Sequence, residues 1–146
     1  MTAHDATRIE RAMREVRVRF ARDSEGSCVA QMVHTSHEAV PNVGWAKIWP
    51  SWIVADRDEE LIGCVQVCYG VPIGRLEFLS FIPNLAFRTR ALAVRAMLGL
   101  GSLSLLNAGA TMIAGTVSFE AKGFKEILKQ NGCKIATSGN VFVRAA

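Results

Sequence analysis

The sequence predicts one domain of the α/β (α+β) class, with a mixed, mostly antiparallel sheet of about six or seven strands flanked by helices on both faces. The 146 residues are 50% hydrophobic and 21% charged, so they can bury a core as a single domain spanning 1–146. Two β-rich runs joined by a charged loop indicate an antiparallel hairpin. Two later apolar runs, separated by a long helix, indicate a strand–helix–strand crossover with parallel strands.

The first predicted elements are a helix, a strand and a second helix. Residues Asp5–Glu15 have helical composition, whereas Val16–Phe20 alternates apolar and basic side chains, as a strand with one solvated face does. Asp23 and Ser24 are favourable N-cap residues for a helix over roughly Glu25–Thr35.

The segment that follows, His34–Ser51, gives no clear element because prolines and a glycine interrupt it. We interpret its tryptophans Trp45 and Trp49, together with Trp52, as closing the base of the core. A substrate-binding role for these rings is the alternative.

The middle of the chain predicts strands joined by turns. Trp52–Ala55 and Leu61–Tyr69 form the predicted hairpin, with Asp56–Glu60 as its charged loop. The turn Gly70–Gly74 then leads into the strand Leu76–Ile82.

The crossover helix begins near Phe87, after the sequence Pro83-Asn84 ends the preceding strand. The stretch Ala96–Phe119 carries no charge and is long enough to span a bilayer. Its glycines and the turn signal Asn107–Gly109 instead divide it into a helix end, a turn and the buried strand Thr111–Val117.

The C-terminal part predicts a helix over about Phe119–Gln130, which Asn131-Gly132 ends. Cys133–Ile135 and Gly139–Arg144 then form the last strand or hairpin.

Composition bounds the function. Seventeen Lys and Arg against thirteen Asp and Glu give a net charge of +4, which suits an anionic cofactor or simply a mildly basic surface, and we prefer the surface. No Cys-x-x-Cys pair is present, and His34 and His37 lack a third ligand, so no metal site is predicted. Reduced thiols and a polar N-terminus without a signal peptide predict a cytoplasmic protein.

The segment Arg88–Ala93 is the candidate anion-binding site. A loop that ends as a helix N-terminus offers unpaired N–H groups and the positive end of the helix dipole. The small residues Ala91 and Ala93 permit close approach to the backbone, and Arg88, Arg90 and Arg95 add positive charge.

This hexad resembles the Arg/Gln-x-x-Gly-x-Gly/Ala signature of the Gcn5-related N-acetyltransferase (GNAT) family. The order of elements from Val16 to Arg144 is also similar to that family. The resemblance implies that the signature binds the pyrophosphate of acetyl-coenzyme A, and that the fourth and fifth strands separate to admit its pantetheine arm. The implied cofactor-binding residues are Phe81, Ile82, Pro83, Arg88, Thr89, Arg90, Ala91, Leu92 and Ala93.

The resemblance further implies transfer of an acetyl group from acetyl-CoA to a primary amine, on a small molecule or a protein. Glu77 is the implied catalytic base, because it is the only carboxylate on its strand and matches the place of the base in histone-acetylating members. The alternative is that Glu77 pairs with an arginine such as Arg75, or faces solvent.

Four residues depart from the family pattern. Ala91 replaces the first glycine, and Leu128 stands where a tyrosine commonly acts as the acid. Ala121 and Phe124 replace an asparagine and a small residue. A GNAT-like binding or structural protein without catalysis, possibly of the kind that bacteriophages encode, is therefore the main alternative. A nucleic-acid-binding protein is a weaker one, no membrane association is predicted, and a homodimer stays open.

Overall fold

The computed structural model describes residues 2–5, 16–36, 51–116, 122–135 and 141–145. These residues form a seven-stranded sheet in the order β1-β2-β3-β4-β5-β7-β6. The strands are β1 (Val16–Phe20), β2 (Trp52–Arg57), β3 (Glu60–Cys68), β4 (Ile73–Phe81), β5 (Met112–Thr116), β6 (Lys134–Ile135) and β7 (Val141–Ala145). The helices are α1 (Gly26–Ser36), α2 (Phe87–Asn107) and α3 (Lys122–Gln130).

The predicted α+β class is confirmed, as is the parallel pairing of β4 and β5 across the α2 crossover. The other neighbouring strands are antiparallel. Several predictions fall outside the described residues: most of the helix Asp5–Glu15, the residues His37, Trp45 and Trp49, and the helix start that includes Ala121.

Helices cover both faces of the sheet. On one face, α2 packs on alternate strand residues such as Ile53, Val65 and Leu76. On the other, α1 packs through Val29, Met32 and Val33 on Trp52, Val54 and Cys64. Strand β2 is therefore buried from Trp52 to Asp56, because each of its faces has a helical layer above it.

The hairpin between β2 and β3 is tighter than predicted. The strands run on through the charged residues, so Asp58 and Glu59 alone form the turn, with φ of 52° and 66°. Asp56 lies 7% exposed because the Arg19 guanidinium on β1 donates to it at 3.1 Å. Arg19 also donates to both carboxylate oxygens of Glu25, at 2.6 and 2.8 Å. This network ties the start of α1 to the first two strands.

Within the described part of the chain, α2 is the one helix long and apolar enough to cross a membrane. It lies against the sheet, with Met97 and Leu105 buried in the core. At Gly101 an added Cβ would stand 2.7 Å from Leu76 Cδ2, so the absent side chain lets helix and sheet approach closely.

Candidate functional site

Strands β4 and β5 are joined over a short length only. Their pairs are Ile73 with Met112, Gly74 with Ile113, and Arg75 with Ala114. Beyond Arg75, β4 continues to Phe81 and β5 to Thr116 without a further pair between them. The sheet is therefore open at this point, on the side where the backbone of each strand offers unused hydrogen-bonding groups.

A bulge bends β4 within this opening. Across β3 and β4, Cys64 pairs with Ser80 and Gln66 with Glu77, so two residues of β4 oppose one of β3. One of the two, Phe78, has a φ of 54°. The sequence predicts a regular strand here, although the adjacent apolar residues Phe78 and Leu79 already interrupt its alternation.

A small apolar pocket lies at the opening. Leu128 of α3 is fully buried and forms part of its wall. The residue at the position implied for an acid thus does lie at the opening, but it has no proton to donate. The lining residues are Val65, Leu76, Leu79, Met97, Leu98, Thr116 and Leu128.

Glu77 lies on the sheet face that α1 partly covers, with its side chain 16% exposed. The Arg75 Nε–H donates to Glu77 Oε1 at 2.7 Å, and Nη2 lies in ion-pair contact with the same oxygen, also at 2.7 Å. Pairing of Glu77 with Arg75, an alternative that the sequence left open, is confirmed. Cys68 on β3 pairs with Arg75. Burial, and to a smaller extent the Glu77 charge, raises the pKa of the Cys68 thiol.

The hexad Arg88–Ala93 does not form a loop, which corrects the prediction. Helix α2 begins at Phe87, and its first backbone bond runs from the Arg90 N–H to the Ala86 carbonyl at 3.0 Å. The amides ahead of this bond are those of Phe87–Thr89. Alanine in place of glycine at position 91 favours helix over loop through this hexad.

Two further implied cofactor-binding groups are already engaged. Ala93 is fully buried in the core beneath α2, so its methyl group cannot meet a ligand. The Ile82 N–H donates to the Ile62 carbonyl at 3.1 Å, and Pro83 has no N–H. Backbone donors for a pantetheine arm are therefore fewer near Phe81–Pro83 than predicted.

Two arginines stand at the N-terminus of α2. Arg90 lies over the Phe81 ring, 5.5 Å from its centroid, and its buried Nε has no partner among the described residues. Arg88 is exposed and lies near Asp5. Hydrogen bonds from Thr2, and secondarily the Arg88 charge, lower the pKa of Asp5. Across the described ranges, no three His, Cys, Asp or Glu side chains are grouped to hold a metal ion.

No protein-family model and no curated protein sequence matches the chain. Solved structures do match. N-acetylglutamate synthase from Neisseria gonorrhoeae, complexed with coenzyme A and L-arginine, is 13% identical with a TM-score of 0.67; the match covers 89% of this chain and 33% of the synthase chain. The chain thus spans about a third of the length of that relative.

Two other matches cover nearly all of both chains. The diaminobutyrate acetyltransferase EctA from Paenibacillus lautus, complexed with L-2,4-diaminobutyric acid and coenzyme A, is 13% identical with a TM-score of 0.66, covering 90% of this chain and 95% of EctA. A GNAT-family acetyltransferase from Listeria monocytogenes is 7% identical with a TM-score of 0.63, with coverages of 90% and 95%. The comparisons give no support to a phage origin. The separated strands β4 and β5, the crossover helix and these matches together show that the chain has the fold of the GNAT N-acetyltransferases.

Proposed function

We propose that the protein is an N-acetyltransferase that moves an acetyl group from acetyl-CoA to a primary amine. The observation that carries this proposal is the opening between β4 and β5, which lies over an apolar pocket and beside the carboxylate of Glu77. The solved neighbours in complex with coenzyme A support it through the shared fold.

The lining at the opening is aliphatic apart from Thr116, which suits an extended arm that enters between the strands. The free amides of Phe87–Thr89, with Arg88 and Arg90, would hold the phosphates. When bound, acetyl-CoA supplies a thioester. The helical start of α2 offers a shallower phosphate site than a loop would, so we expect modest coenzyme affinity.

Glu77 acts as the general base, directly or through a water molecule. It accepts a proton from the acceptor ammonium, and the amine nitrogen then bonds to the acetyl carbon as the carbon–sulfur bond breaks. The nitrogen gives up its second proton through water, and the departing coenzyme thiolate takes that proton up, since Leu128 has none to donate. A thiol is an adequate leaving group near neutral pH, with a pKa of roughly 8.5 for a cysteine-like case.

The second candidate is a GNAT-fold binding protein without catalysis. Three observations favour it: the buried leucine at position 128, the helix in place of a phosphate loop, and the ion pair that occupies Glu77. In either case we propose a cytoplasmic protein whose partner is an amine, on a small molecule or a protein.

The test separates the two candidates. Calorimetry with acetyl-CoA and with coenzyme A measures binding, and release of the coenzyme thiol against a panel of amino acids, diamines and peptide N-termini measures transfer. Binding with amine-dependent thiol release supports the acetyltransferase. Binding with only background hydrolysis across the panel supports the non-catalytic protein, and no binding at millimolar coenzyme contradicts the acetyltransferase.

A further inference from the structure

Arg75 lies where β4 and β5 part. It forms the last pair between these strands, opposite Ala114, and pairs with Cys68 of β3 on its other side. Its side chain is 50% exposed, whereas that of Glu77 is 16% exposed. The guanidinium is therefore the solvent-facing member of the pair, at the closed end of the opening.

The ion pair leaves hydrogen-bonding capacity unused on both partners. Both contacts from Arg75 go to the same oxygen, Oε1 of Glu77. A guanidinium has five N–H donors. Nε and Nη2 of Arg75 contact Glu77, whereas Nη1 at the outer edge has no partner within the described ranges. In the same part of the chain, Oε2 of Glu77 has none either. The remaining N–H donors of the Arg75 guanidinium suit a second carboxylate.

The charges on this face favour a zwitterion. The neighbouring strand side chains are all uncharged: Gln66 and Cys68 on β3, Ile73 on β4, and Met112 and Ala114 on β5. Arg75 is therefore the one cation on this patch of described strand residues, and Glu77 the one anion. A ligand with an ammonium and a carboxylate a few bonds apart has the complementary arrangement.

We propose that Arg75 determines acceptor specificity and that the acceptor is a short amine carrying a carboxylate, such as an amino acid. The inference rests on the proposed function and specifies its substrate. The acceptor carboxylate binds the outer edge of the Arg75 guanidinium, and the acceptor ammonium binds the free oxygen of Glu77.

The test compares each amino acid with its primary amide, for example glycine with glycinamide and β-alanine with β-alaninamide. Because the amine of an amide loses its proton more readily, the informative quantity is the acid-to-amide ratio of kcat/KM, compared between variants. We expect Arg75→Gln to lower that ratio on the order of tenfold or more, mainly by raising KM for the acid. Arg75→Lys should retain part of the preference because it keeps the charge but not the fork.

Arg17→Gln is the matched control, since Arg17 is an exposed strand arginine on β1, at the edge of the sheet away from β4. An unchanged ratio in Arg75→Gln would overturn the proposal. An equal loss for acid and amide would also overturn it, because Arg75 would then act only through Glu77.

Equilibrium binding keeps this inference separate from the proposed function. The acid and the amide are each titrated by calorimetry into the parent and Arg75→Gln proteins. Both proteins are saturated with coenzyme A, so no transfer takes place. Arg75-dependent preference for the acid without turnover supports the acceptor site and contradicts catalysis. Turnover without such a preference supports catalysis and contradicts the acceptor site.

Discussion

The Phe81 ring lies across the backbone of Gly63, so that a Cβ added at Gly63 would stand 2.8 Å from Phe81 Cδ1 and 2.9 Å from Cε1. The two residues pair across β3 and β4. The same ring carries the Arg90 guanidinium on α2. A glycine in the middle of β3 thus sets the position of an arginine at the candidate phosphate site.

Gly63→Ala is expected to displace Phe81 and with it Arg90. Overpacking of this kind typically costs about 1–3 kcal/mol of unfolding free energy, measured by urea denaturation. Coenzyme affinity should fall as well, because Arg90 loses its contact with the Phe81 ring. Gly99→Ala is the control: nothing lies within 4 Å of its added Cβ, and alanine in a helix should stabilise by roughly 0.5–1 kcal/mol. Equal stability of the two variants would contradict the packing argument.

Arg88→Glu is expected to weaken coenzyme binding on the order of tenfold or more, because it replaces attraction of a phosphate by repulsion. The exposed side chain makes a folding defect a poor explanation for such a loss. Calorimetry with coenzyme A gives the Kd, and Arg17→Glu, at another exposed arginine, controls for net charge. If both variants lose the same affinity, the N-terminus of α2 is not the phosphate site.

Much of the fold was predictable because local patterns and tertiary structure agree. Val16–Phe20 was predicted with the bounds that β1 has, and Phe87 was predicted as the start of α2. The hairpin turn was predicted too long because charge at Asp56 indicates a loop. Only the contact with Arg19, thirty-seven positions away, makes that carboxylate compatible with a buried strand.

The site was less predictable. The position of Glu77 on its strand follows from the sequence, but its partner does not, because pairing with an arginine such as Arg75 and exposure to solvent were both open. The bulge at Phe78 depends on the pairing register with β3, which a single strand does not specify. The helical conformation of Arg88–Ala93 differs from the loop that the signature implies, and alanine in place of glycine at position 91 favours it.

Glu25→Gln is expected to destabilise the fold by about 1–2 kcal/mol near neutral pH, since it removes a charge-assisted, two-pronged contact with Arg19. The Arg19 guanidinium holds the pKa of Glu25 below its ordinary value of 4.5. The stabilisation is therefore present above that value and is lost as pH falls through the lower pKa of the folded state.

Urea unfolding at a series of pH values checks this sign. The parent should lose stability between about pH 5 and pH 3 more steeply than Glu25→Gln does. Glu126→Gln is the control, because that carboxylate is 67% exposed and contacts Lys129 at 3.6 Å only. A parent and a Glu25 variant with parallel pH profiles would show that this pair does not contribute.

Glu59→Gly is expected to stabilise the protein by about 1 kcal/mol, because Glu59 has a φ of 66° and glycine adopts that conformation without steric cost. Glu60→Gly, one residue later in β3, should instead destabilise by roughly 0.5–1 kcal/mol, since glycine weakens a strand. Thermal unfolding of the two variants should shift Tm in opposite directions. A lower Tm for Glu59→Gly would mean that its side chain makes a compensating contact.

Glu77→Gln tests the proposed base. A general base typically contributes about a hundred- to ten-thousand-fold, so turnover should fall by that order while coenzyme affinity stays the same. The Arg75 contact that this change weakens is half exposed and contributes up to about 1 kcal/mol, so an altered fold would not explain a loss of this size. Glu60→Gln, at the exposed start of neighbouring β3, controls for removal of a carboxylate.

Thiol release is followed with an amine that the parent accepts. Full activity in Glu77→Gln would make this carboxylate a structural partner of Arg75, and the proton would then leave the acceptor through water. Arg75 could still bind an acceptor carboxylate in that case, because its unused donors do not depend on Glu77.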